Sequence, residues 1–139
     1  MYYYVEPEVS GELGEKTIAD TSIHPPNISK LHYQFDGWLG DDILEAFPCY
    51  IITKQLKEII QSSDLCGYEI TDIEISKSAN FLELYPSVIL PKFYWLKIVG
   101  KAGQSDFGIA RDYRLVISDK AMAIFDKTNI KNSDIEIYG

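Results

Sequence analysis

Asp41 and Asp42 stand side by side, Glu45 follows three and four residues on, and Trp38 lies just ahead in Gly37-Trp38-Leu39-Gly40. Two neighbouring carboxylates are the simplest apparatus for general acid–base work, and with Asp106 and Arg111 from a later loop they could assemble a small polar site. Adjacent side chains diverge, however. Two acids ahead of Ile43-Leu44-Glu45-Ala46-Phe47 also read as the start of a short helical turn, where the macrodipole favours negative charge. In that reading Asp41 or Asp42 shares a face with Glu45. Trp38 beside them then makes an aromatic anchor with an acidic rim, a composition typical of protein interfaces. Trp38 can also fold back as a lid on the core.

The remaining reactive residues offer less. His24 precedes two prolines, and His32 takes the polar phase of an alternating segment. Neither has a Cys, His or carboxylate at metal-ligand spacing, so neither a metal nor any other cofactor is expected. Cys49 and His32 form a nucleophilic pair only on paper, because Cys49 sits in an apolar run rather than in the electropositive setting that favours a thiolate. Gly100-Lys101-Ala102-Gly103 lacks the P-loop pattern and reads as a turn.

These residues need elements to position them. Tyr2 to Val9 reads as a first strand, and residues 10–30, rich in Gly, Pro, Ser and Thr, as a loop with a short strand at Lys16–Ala19. Leu31, Tyr33 and Phe35 alternate with polar residues as in a half-buried strand. Tyr68–Ser76 alternates with a one-residue phase shift, which predicts a bulge near Thr71-Asp72. Residues 77–91 read as a long connection. Phe93–Val99 is almost continuously apolar, as expected of a central strand covered on both faces. Residues 104–112 read as a loop.

One pattern occurs twice. Tyr50-Ile51-Ile52-Thr53 and Leu115-Val116-Ile117-Ser118 are apolar runs closed by a hydroxyl residue. Leu56, Ile59, Ile60, Leu65 and Ile70 follow the first. Ala121, Ile124, Phe125, Ile130 and Ile135 follow the second at the same spacings. Each reads as strand, N-cap, helix, turn, strand, with Leu56, Ile59, Ile60, Ile124 and Phe125 packing the helices onto a sheet. Gly67 and Asn132 take matching places where a left-handed turn residue fits. Only three of the 21 aligned positions from 50 to 70 are identical, so a recurring packing pattern and a true duplication both remain open. The expected fold is α+β: one domain over residues 1–139, a mixed β-sheet, two similar strand–helix–strand units and few short helices. Residues 1–30 form an N-terminal strand and acidic loop, and residues 31–139 the core.

The charge is lopsided. The chain has a net charge of -8. Residues 1–45 hold nine acids against two bases, while the remainder holds twelve acids and eleven bases. Such a field repels nucleic acid and attracts a basic macromolecule. No stretch approaches the length of a membrane helix and the N-terminus lacks a signal-peptide pattern, so a cytoplasmic protein is expected.

Gly37-Trp38-Leu39-Gly40-Asp41-Asp42-Ile43-Leu44-Glu45 with Phe47-Pro48 and Ile51-Ile52-Thr53, then Leu90-Pro91-Lys92-Phe93-Tyr94-Trp95-Leu96-Lys97 and Asp106-Phe107-Gly108, and finally Leu115–Ala121 with Ile130 and Asn132, resemble the blocks of a family of small bacterial proteins. Their doubled layout is similar to immunity-protein families of bacterial polymorphic toxin systems. The resemblance covers about residues 31–139. It implies a non-catalytic protein that binds and neutralises a cognate secreted toxin, and it transfers no catalytic residue. The acidic N-terminal third suits a basic toxin such as a nuclease. Trp38, Asp41, Asp42, Glu45 and Asp106 are the residues expected to meet it. The competing readings are a small enzyme built on Asp41, Asp42, Asp106 and Arg111, and a regulatory or structural interaction protein.

Overall fold

The computed structural model describes residues 1–139, and it opens on a strand whose partners come from the far end of the chain. After β1 (Tyr2–Glu6), the loop-like stretch contains β2 (Gly11–Leu13), β3 (Ile18–Asp20) and β4 (Asn27–Lys30), the last two forming a small hairpin. β5 (His32–Phe35) turns Tyr33 and Phe35 fully inward. β6 (Ile43–Ala46) and β7 (Cys49–Thr53) make an antiparallel hairpin around Phe47-Pro48. There follow α1 (Lys54–Gln61), β8 (Tyr68–Thr71), β9 (Glu74–Lys77), α2 (Ala79–Leu84), β10 (Phe93–Ile98), β11 (Phe107–Ile109), β12 (Leu115–Ser118), α3 (Asp119–Phe125) and β13 (Asp134–Tyr138).

The architecture is α+β and its doubling is literal. One sheet has the order β6-β7-β10-β8 and another β11-β12-β1-β13, with every neighbouring pair antiparallel. β7 and β8 are therefore parallel with β10 between them, and β12 and β13 are parallel with β1 between them. The helix caps match as well. The Thr53 hydroxyl accepts the Leu56 N–H and the Ser118 hydroxyl accepts the Ala121 N–H, each closing the first turn of its helix. The second unit borrows its central strand from the N-terminus. Residues 1–30 are thus no appendage to the core: Val5 is fully buried within it.

Alternation along β7 and β10 explains why both read as unbroken apolar runs. Tyr50, Ile52, Tyr94 and Leu96 enter a core shared with α1, α3 and the sheet containing β1, where Leu56, Ile60, Leu115, Ile117 and Phe125 meet. Cys49, Ile51, Phe93 and Trp95 enter a second core with Leu31, Tyr33, Phe35 and Phe81. A strand between two cores needs apolar residues at every position. Leu56, Ile60 and Phe125 are fully buried and Ile124 nearly so, whereas Ile59 packs at the margin.

Four local expectations are corrected. Residues 43–46 form a strand, not a helical turn: Ile43 enters one core and Leu44 the other, and such a run has no period by which to tell strand from helix. The phase shift near Thr71-Asp72 is a change of sheet, not a bulge. β8 pairs with β10, and β9 pairs in parallel with β5 in a three-stranded sheet β2-β5-β9. The connection over residues 77–91 contains α2, capped by Ser78, which accepts the Phe81 N–H. Asn132 holds no left-handed backbone. Gly67 does, at φ 95°, where its backbone lies against Phe107.

Candidate functional site

Asp41 and Asp42 follow a tight turn at Gly40 and point into the protein. Asp41 has no exposed surface: one carboxylate oxygen accepts the Asn132 side-chain amide at 2.8 Å and the other the Asn132 backbone N–H at 2.9 Å. Asp42 is 7% exposed, accepts the Thr53 hydroxyl at 2.6 Å and takes the Asn129 N–H at 2.8 Å. Asp106 accepts the Ser118 hydroxyl at 2.7 Å and the Cys66 N–H at 2.9 Å. Burial alone would raise the Asp106 pKa, but these hydrogen bonds outweigh it and hold the carboxyl below its ordinary value. The three aspartates are joints between chain segments, and the exposed acidic rim expected at Asp41 and Asp42 is absent. Arg111 is exposed and pairs with none of them.

Trp38 takes the lid position. Its ring packs edge-on against Phe93 with centroids 5.7 Å apart, and its indole N–H donates to the Asp41 carbonyl at 2.9 Å. Glu45 is half-buried on β6. Burial first, and Glu6 second, raise its pKa to about 7. His32 is buried. The Lys16 N–H donates to its Nδ1, which leaves the proton on Nε2 to bond Ser76. Burial pushes the Cys49 thiol up to about 12, only partly offset by Lys97, so it is unreactive. No group of three His, Cys, Asp or Glu side chains is placed to hold a metal ion.

The arrangement that stands out involves a residue the sequence did not single out. Glu8 is 7% exposed. One of its carboxylate oxygens accepts the Leu39 N–H at 2.9 Å and the Ser10 hydroxyl, while the other is buried with no partner. A buried acceptor left unpaired costs about 1–3 kcal/mol, more when charged. Glu8 lines a cleft of about 340 Å³ between residues 8–11 and 36–39, with Asp36, Trp38, Leu39 and Tyr85 on its walls. The two segments are pinned together, because the Ser10 carbonyl accepts the N–H groups of both Asp36 and Gly37, at 2.8 and 3.2 Å. No lysine or arginine lines the cleft, and neither Glu8 nor Asp36 forms an ion pair. Val9, Leu39 and Tyr85 around it are 68%, 66% and 45% exposed. A roomier cleft of about 550 Å³ lies on the other side of Trp38 beside Asp42, Thr53, Lys127 and Asn129. There the Asp42 and Thr53 side chains already bond within the chain.

The only sequence signal for Glu8 was its place among the uncompensated acids of the first third. No family model, characterised protein or solved structure matches the chain. No helix is long and apolar enough to cross a membrane.

Proposed function

We propose that the chain is a non-catalytic binding protein of the immunity type, which occludes a basic protein toxin in the cytoplasm by covering it with the acidic, aromatic face around Glu8, Asp36 and Trp38. The observation that carries this reading is the absence of internal compensation for the acidic third. Its two lysines, Lys16 and Lys30, both bridge Glu74 on β9. Of its nine acids only Glu6 reaches a cation, Arg114 at 3.9 Å. The negative field is therefore free to act outward, where it raises the association rate with a basic surface and disfavours other partners. Exposed Val9, Leu39 and Tyr85 supply apolar and aromatic contact in the same place. The sequence blocks that resemble immunity proteins point the same way. The enzyme reading loses the carboxylates it relied on, since Asp41, Asp42 and Asp106 are taken up by hydrogen bonds within the chain.

The test is co-expression of the chain with the product of the gene immediately upstream of its own, the place where a cognate toxin is expected. Restored growth, with a complex of the two purified proteins, supports the reading. A toxin whose effect is unchanged and which forms no complex with the folded chain overturns it.

A further inference from the structure

We infer that the Glu8 cleft is an arginine socket, which takes the guanidinium of one side chain of the partner. The inference rests on the reading of the chain as a binder of a basic protein and specifies how that partner is held. Glu8 supplies a carboxylate on the cleft wall: the Leu39 N–H and the Ser10 hydroxyl hold one oxygen, and the other, which solvent does not reach in this structure, has no donor inside the chain. Asp36 adds a second carboxylate, exposed and without hydrogen bond or ion pair. Trp38 and Tyr85 stand on the walls of the cleft. A cavity of about 340 Å³ is at the small end for ligand sites and suits one side chain rather than a large cofactor.

Two carboxylates between aromatic rings select a planar cation. A guanidinium offers five donors in a fixed fork, bonds carboxylates in pairs and stacks on aromatic rings. It is also less strongly hydrated than an ammonium, so it enters a partly buried site more readily. A lysine would satisfy the charge but would not stack, and it lacks the planar fork of donors. Cleft residues on segments pinned by the Ser10 carbonyl need little reordering on binding, which favours affinity.

The probe is N-acetyl-arginine methylamide, titrated into the isotope-labelled chain at low salt and followed by NMR. Its lysine and citrulline counterparts serve as comparisons. The expected result is saturable shifts at the Leu39 amide and the Trp38 indole N–H, with a dissociation constant of about 1–10 mM. Lysine should bind at least about threefold more weakly, and citrulline, which keeps the shape but lacks the charge, should not bind. Asp36→Asn, at an exposed position, should weaken arginine at least about threefold while leaving the rest of the spectrum in place, and Glu8→Gln should abolish binding. Absence of cleft shifts at about 20 mM arginine probe overturns the inference, as does equal binding of lysine and arginine. Toxin protection that persists with an inert cleft would reject the socket and leave the binding function standing.

Discussion

Asp42 and Asp106 hold equivalent places in the two halves of the fold. Each accepts the hydroxyl that caps the helix of its own half, Thr53 at 2.6 Å and Ser118 at 2.7 Å. Each also accepts a backbone N–H from the other half, Asn129 beyond α3 at 2.8 Å and Cys66 beyond α1 at 2.9 Å. The backbone repeats the match, since the Thr53 N–H donates to the Asp42 carbonyl and the Ser118 N–H to the Asp106 carbonyl. The two aspartates are reciprocal cross-links that bind each repeat to its twin.

Removing them should loosen the halves unequally. Asp42 is buried and Asp106 only partly so. Hydrogen bonds to charged groups contribute about 1.5–3 kcal/mol each, more surely where water cannot replace them. Asp42→Ala should cost about 2–4 kcal/mol and Asp106→Ala about 1–2 kcal/mol, read from urea denaturation. Equal, negligible losses would show that the cross-links are incidental.

The shared plan predicts a tolerated permutation. Tyr2 lies opposite Tyr138 in the β1–β13 pair, so the two ends of the chain adjoin. Joining them with a short Gly-Ser linker and opening the chain between Gly103 and Gln104 would make each repeat contiguous. Exposed turns are the sites where such openings succeed. The permutant should unfold cooperatively with a loss below about 2 kcal/mol, whereas opening within α1 should abolish folding. A permutant opened at 103 that fails to fold would contradict the repeat plan.

Glu45 sets a pH dependence. It lies on β6 opposite Tyr50 of β7, with Glu6 of β1 as the nearby charge that adds to its burial. Its folded pKa of about 7 exceeds its unfolded value. The protonated form therefore belongs to the folded state, and the stability it contributes is complete below about pH 4.5 and lost as pH rises through 7. Solvent reaches the carboxyl and screens it, so the loss should be about 1 kcal/mol rather than the full value of the shift. Glu45→Gln should stabilise the chain by that amount at pH 8 and change little at pH 4. A gain that is the same at both pH values would rule out titration of Glu45 as the cause.

Much of this fold was legible in the chain, and its gaps have physical reasons. The two apolar-run–hydroxyl–helix units announced themselves because N-caps and helical spacing are local signals. β10 was readable as central because burial on both faces removes alternation. The helix wrongly expected at residues 43–47 failed for that same reason: Ile43 and Leu44 serve opposite cores. Of the two partners of β12, strand β1 lies more than a hundred residues away, and no local pattern encodes such a pairing. In the site, Trp38 and the acid excess were visible. That Asp41 and Asp42 face inward was not, because their partners Asn129 and Asn132 come from the other repeat. Glu8 looked like any surface acid in a strand, and only the meeting of residues 8–11 with 36–39 gives it a cleft.

The decisive measurement is calorimetry, at two salt concentrations, of the chain with the purified product of the gene immediately upstream of its own. Asp36→Lys is compared with Asp64→Lys, which reverses a fully exposed charge on the turn after α1. The expected result is a one-to-one complex, weakened at least about tenfold by Asp36→Lys and more so at low salt, with Asp64→Lys close to wild type. No binding by the folded chain, or a complex indifferent to Asp36→Lys, would contradict it.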